Sequence, residues 1–94
     1  MQMTNGQWLR HHRFKAHIGL KRLAAMIGLD FTWISRIEND RAQPQPQYIR
    51  DWALAIGCDP DELFYRYGYM PPDLCEVLRN KPELRTDLRE LVKG

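Results

Sequence analysis

Two cysteines in 94 residues are too few for a disulfide scaffold, and neither stands in a CxxC or paired Cys/His spacing that would suggest zinc. That usage predicts reduced thiols and a cytoplasmic protein. No apolar run approaches the roughly 20 residues of a membrane-spanning helix, so no membrane partner is expected. The opening segment, MQMTNGQW, lacks the apolar stretch of a secretory leader. Runs of β-branched residues in alternation are missing too, which argues against strands. There is no internal repeat, low-complexity segment or second domain. Nothing pairs a nucleophile with a base, cradles a phosphate with glycines or sets two carboxylates together, so neither catalysis nor a cofactor is expected. His11, His12 and His17 do not have the i, i+4 spacing of a metal pair, and no metal site is expected.

What is present is ordinary globular material. Hydrophobic residues make up 44% and charged residues 28%, which excludes a disordered chain, a collagen-like fibre and a coiled-coil rod. The length suits one small domain. A net charge of +2 hides an asymmetry. Residues 1–50 hold eight Lys/Arg and three Asp/Glu, for +5, while residues 51–94 hold six and nine, for −3. A basic half joined to an acidic half fits a polyanion-binding face on one side, although such charge is often only solvated surface.

The chain reads as short helices punctuated by Gly and Pro. The first runs from about Gln7 to His17. The second, Leu20 to Ile27, has Leu20, Leu23, Ala24 and Ile27 on one apolar side and stops at Gly28. Asp30 caps the third, which continues to about Asn39. Pro46 opens the fourth, whose stripe is Tyr48, Ile49, Trp52, Ala53 and Ile56, and Gly57 closes it. Asp59, Pro60 and Glu62 predict a capping box for the fifth, which reaches about Tyr67. Two further helices are expected at Pro72 to Arg79 and Pro82 to Lys93. The fold class expected is all-α: a five-helix domain over residues 1–67 and a helical tail over residues 68–94. The second and third helices, joined by a three-residue turn, have the shape of a helix-turn-helix unit.

On the third helix, at about 100° per residue, Ile34, Ile37 and Glu38 share one side. Thr32, Ser35, Arg36 and Asn39 share the other, a polar side without acids that suits base edges or, equally, plain solvent. Trp33 lies on the flank near Ile37, where it packs or turns its indole N–H to a phosphate.

The segment from His17 to Phe64 resembles the lambda-repressor-like (Cro-type, xenobiotic-response-element) family. The matches are Leu23-Ala24, Gly28-Leu29, Ile34-Ser35-Arg36-Ile37-Glu38, Pro44, Trp52-Ala53, Ile56-Gly57 and Asp61-Glu62-Leu63. The resemblance covers about residues 7–67. It implies a sequence-specific double-stranded DNA-binding transcriptional regulator, most often a repressor that binds an inverted repeat as a homodimer. By position, it implies that Phe31, Thr32 and Arg36, with Ser35 nearby, read bases. It implies phosphate contacts by Lys21, Asn39, Arg41 and Gln43. It also implies that Glu38 pairs with Arg13 as a structural ion pair, where an isolated reading leaves Glu38 exposed. Three positions depart from the family pattern: Gly19 for the usual Ser/Thr cap, Leu20 for a phosphate-binding Gln, and Asp40 for Gly. Asp40 tolerates a left-handed backbone but brings a negative charge beside the expected DNA.

The tail carries Leu84, Leu88, Leu91 and Val92 on one side of its last helix and Leu74, Val77 and Leu78 on the helix before it. These stripes either cover their own domain or form a dimer interface. A different class of function also fits: a protein-interaction module, such as an antitoxin or adaptor, with the tail binding another protein.

Overall fold

The computed structural model describes residues 2–93, and most of its helices start and stop at identifiable capping residues. The first, α1 (Asn5–Lys15), begins two residues before the expected Gln7. Thr4 Oγ1 accepts from the Gln7 amide at 3.1 Å, and Gln7 Oε1 accepts from the Thr4 amide at 3.0 Å, a reciprocal capping box. The second helix, α2 (Leu20–Ile27), has only a backbone cap at Gly19. It ends at Gly28, whose φ of 77° lets its amide reach the Ala24 carbonyl at 2.8 Å. Leu29 and Asp30 complete the turn into α3 (Phe31–Glu38), where Asp30 Oδ1 accepts from the Thr32 amide at 2.9 Å. Pro46 opens α4 (Pro46–Ile56) and Gly57 closes it.

Asp59 caps α5 (Pro60–Arg66) by accepting from the Asp61 amide at 3.1 Å. The full capping box expected there is not what forms. Glu62 turns one helical turn forward to Arg66, at 3.3 Å, because a cation outcompetes a neutral amide for a carboxylate. Two helices follow, α6 (Pro72–Asn80) and α7 (Pro82–Lys93).

The five-helix core centres on α4. Ile49, Trp52 and Ala53 have no exposed surface, and Ile56 is buried beside them. Tyr48, expected in the same stripe, is only half-buried. Leu23, Ala24 and Ile27 of α2, Ile34 and Ile37 of α3, and Leu63 and Phe64 of α5 close around this face, with Trp8 and Leu9 of α1 completing it. Each fully buried aliphatic stabilises the fold by roughly 1.5–3 kcal/mol, so this cluster dominates over any surface pair.

The first turn of α1 meets the C-terminal ends of two other helices. Gly6 lies against the end of α3 so closely that a Cβ would fall 2.4 Å from the Glu38 carbonyl oxygen. Asp40, left-handed at φ 60°, turns its carboxylate back to accept from the Gly6 amide at 2.9 Å and from Thr4 Oγ1 at 2.5 Å. At the end of α5, Asn5 Nδ2 donates to the Arg66 carbonyl at 2.7 Å. The positive end of one helix thus faces the negative ends of two others. Deeper in, Arg13 Nε and Nη2 donate to the two Glu38 carboxylate oxygens at 2.7 and 2.9 Å, with both residues buried. The third arm of the fork, Arg13 Nη1, donates to the Ile18 carbonyl at 3.0 Å.

By contrast, α6 and α7 pack on each other and bury no residue fully. The chain's last deeply buried residue before them is Pro71.

Two substitutions test the α1–α3 contact. Glu38→Gln strands the buried Arg13 charge and is expected to cost about 3 kcal/mol or more, lowering Tm by roughly 10 °C or more. Gly6→Ala gains about 1 kcal/mol of helix propensity but drives a methyl into backbone, so a net loss of about 1–3 kcal/mol is expected. Thermal melts measure both. An unchanged midpoint for either variant contradicts the close contact.

Candidate nucleic-acid interface

Helical periodicity divides α3 into an inner side, with Ile34, Ile37 and Glu38 buried, and an outer side. Phe31, Thr32, Arg36 and Asn39 are exposed on the outer side, while Ser35 and Trp33 are half-buried at its margins. The helix therefore presents its N-terminal turn and one guanidinium fork to solvent. Its one carboxylate is held inward by Arg13.

Two rings on this helix carry cations. The Arg36 guanidinium lies over the Trp33 indole, with Cζ 5.1 Å from the ring centroid. Lys21, near the start of α2, places Nζ 5.5 Å from the Phe31 centroid. Lys21 and Phe31 thus share one corner of the surface, where the starts of α2 and α3 converge. At the other end of α3, Arg41 and Gln43 are exposed in the loop that leads to the buried Pro44.

Asn39 is engaged at both ends of its amide. Nδ2 donates to the Ser35 carbonyl at 2.8 Å, and Oδ1 accepts from Arg10 Nη2 at 2.9 Å. Arg10 was not singled out from sequence. It stands one turn before Arg13 on α1, and its Nε also approaches Glu38 at 3.5 Å. Its i, i+3 spacing from Arg13 sets both arginines on one side of α1 but does not reveal the partners they meet.

Both acids that flank the outer side are exposed but engaged by local hydrogen bonds. Asp30 is occupied by the Thr32 amide and Asp40 by Gly6 and Thr4. Asp40, which sequence reading set beside the expected DNA backbone, points its charge toward α1 instead.

The other residues noted in the sequence lie elsewhere. His12 packs against Trp8 with ring centroids 4.2 Å apart, and burial, aided by Lys15, lowers its pKa. His11 and His17 are exposed. No three His, Cys, Asp or Glu residues gather as a metal site among the described residues. Burial pushes the Cys58 thiol up to about 11, which leaves it a small core residue without thiolate character. Cys75 is half-buried, its thiol 3.6 Å from the Met70 carbonyl.

In the tail, Leu74, Val77, Leu78, Leu84 and Leu88 line an apolar groove together with Tyr65 and Met70. Leu91, named with the other tail leucines from sequence, lies outside the groove lining and is 75% exposed. No helix among the described residues is long and apolar enough to cross a membrane.

Comparison with known proteins bears on the first part of the chain. Residues 15–63, just over half of it, match the family model described as helix-turn-helix. Two curated relatives are each 24% identical over 75 residues. Both carry the name of uncharacterized HTH-type transcriptional regulator, one in Mycobacterium tuberculosis strain CDC 1551 / Oshkosh and one in strain ATCC 25618 / H37Rv. The matched region is 80% of this chain but 54% of each relative, so the chain spans about half the length of the curated relatives it matches. No solved structure matches significantly. The matched residues run from the end of α1 into α5 and contain the whole two-helix unit with its Gly28 turn; the chain belongs to the helix-turn-helix family, in its lambda-repressor-like form.

Proposed function

We propose that this protein binds double-stranded DNA sequence-specifically and regulates transcription, acting as a repressor. The observation that carries this reading is the outer side of α3: exposed Phe31, Thr32 and Arg36, the helix's one carboxylate buried on the other side, and cations at both ends. The N-terminal turn of α3 enters the major groove. Arg36 addresses guanine O6 and N7 with its fork. Thr32 contributes its hydroxyl or its methyl, Phe31 offers a thymine methyl an apolar surface, and Ser35 supports from the margin. Lys21, Arg41 and Gln43 hold the backbone on either side, with Asn39 orienting the Arg10 guanidinium beside them. The relatives' names support the regulatory role, and repression is the common use of this family.

The tail supports a homodimer. Its groove is apolar and uncovered, and a twofold assembly would cover it while repeating α3. Two such helices read half-sites about one DNA turn, ~34 Å, apart in an inverted repeat. The same groove also suits a helical segment of another protein, the arrangement of an antitoxin or adaptor.

Selection of bound sequences from a random duplex pool tests the readout. An enriched, palindromic motif is expected, and no enrichment at moderate salt overturns the reading. Arg36→Ala is expected to cost about 1–3 kcal/mol on that motif and to relax preference at one base pair per half-site. Lys21→Ala or Arg41→Ala is expected to weaken all sequences alike and reduce the salt slope by about one. For assembly, sedimentation of the full chain is expected to give a dimer that Leu88→Glu dissociates. A monomer at micromolar concentration favours a foreign partner for the groove, and a dimer unaffected by Leu88→Glu moves the interface away from the tail.

A further inference from the structure

Trp33 is half-buried and packed against the edge of the core, so the domain fixes the position of its ring. Arg36, one turn further on, rests its guanidinium on that ring. Among the described residues no carboxylate lies within ion-pair distance of Arg36. The indole is therefore the contact that orients the fork. Stacking uses the face of a guanidinium, whereas bidentate hydrogen bonding uses its edge. The Arg36 guanidinium near Trp33 donates no side-chain hydrogen bond among the described residues, so its donors stay free for a base. An unrestrained arginine would lose rotamer freedom on meeting a base, and a ring already beneath it removes part of that loss. Lys21 over Phe31 is a looser version of the same device: the ring is 43% exposed, and an ammonium has no plane to set.

We propose that Trp33 is a positioning residue for sequence discrimination: its indole holds the Arg36 guanidinium in place by a cation–π contact and sharpens preference at the base pair Arg36 addresses. Trp33 thereby serves base readout through Arg36 and makes no phosphate contact. The proposal rests on the base-reading role of Arg36 given above.

The test compares the full-length wild type with Trp33→Leu and Trp33→Phe, using the duplex selected by the wild type and its single-base variants. The position that Arg36→Ala relaxes identifies the relevant base pair. Trp33→Leu is expected to reduce preference there roughly two- to fivefold, the size of an exposed cation–π contact, with other positions and the salt slope unchanged. Trp33→Phe is expected to restore most of it. Added to Arg36→Ala, Trp33→Leu should change nothing further at that position. A uniform loss on all sequences, with a salt slope smaller by about one, overturns the proposal by putting Trp33 at a phosphate. Unaltered preference overturns it too. If the wild type enriches no motif, the base-reading role of Arg36 falls and this inference falls with it. A wild-type motif with Trp33→Leu indistinguishable from wild type sinks the inference alone. Should Trp33→Leu fail to fold, the free wild type still decides. Its Arg36 side-chain proton resonances are expected to be ring-current shifted and to move back in Trp33→Phe only in part. Unshifted resonances in the wild type show that no stack exists.

Discussion

The buried Arg13–Glu38 pair is the constraint from which the outer side of α3 follows. A carboxylate that is 2% exposed needs a partner that satisfies both oxygens, and a bidentate guanidinium does so with good geometry. Such pairs are not reliably stabilising against an apolar substitute, since desolvation offsets much of the attraction. What the pair contributes is registration. Rotating α3 by one residue, about 100°, would take Glu38 off the Arg13 fork and swing Ile34 and Ile37 out of the core. The apolar contacts hold the helix against the domain, and the charge pair admits one rotation of it. Arg36 and Thr32 face outward as a consequence.

The first turn of α1 makes that geometry possible. Its approach to the α3 C-terminus is close enough that only Gly6 fits, and the amide so exposed is met by Asp40. Asp40 sits at a position where the family commonly has Gly. Its left-handed backbone retains the turn, and its carboxylate is neutralised locally by the α1 N-terminus. A charge that would otherwise face DNA phosphates is thus directed toward the start of α1, while Asp40 itself stays exposed. At the other end of α3, Asp30 is engaged as the helix cap. Both ends of the outer side are left with cations in reach, although the sequence there carries acids.

The bounds of α2, α3 and α4 were legible because local signals set them: Gly28 and Gly57 in left-handed conformation, Asp30 as cap, Pro46 at a first helical position. The 3.6-residue period likewise separated the inner from the outer side of α3. The start of α1 was missed because Thr4 and Gln7 cap each other before any apolar periodicity begins. Glu62 was assigned to a capping box that a nearby Arg66 pre-empts, a choice set by relative strength and not by spacing. The partners of Asp40 and Arg10 and the contact of Arg36 with Trp33 depend on tertiary placement or on rotamers, and no period of the sequence encodes either.

The tail obeys a different balance from the domain. Helices of 9 and 12 residues are marginal in water by themselves, since nucleation is costly and each added residue gains little. Here α6 and α7 support one another but bury no residue fully, and Leu88, Leu91 and Val92 remain 44%, 75% and 80% exposed. Covering even two such side chains would contribute a few kcal/mol at about 25 cal/mol per Å². A surface that covered this exposed apolar side of α7 would therefore add stability that the packing of α6 on α7 alone does not supply.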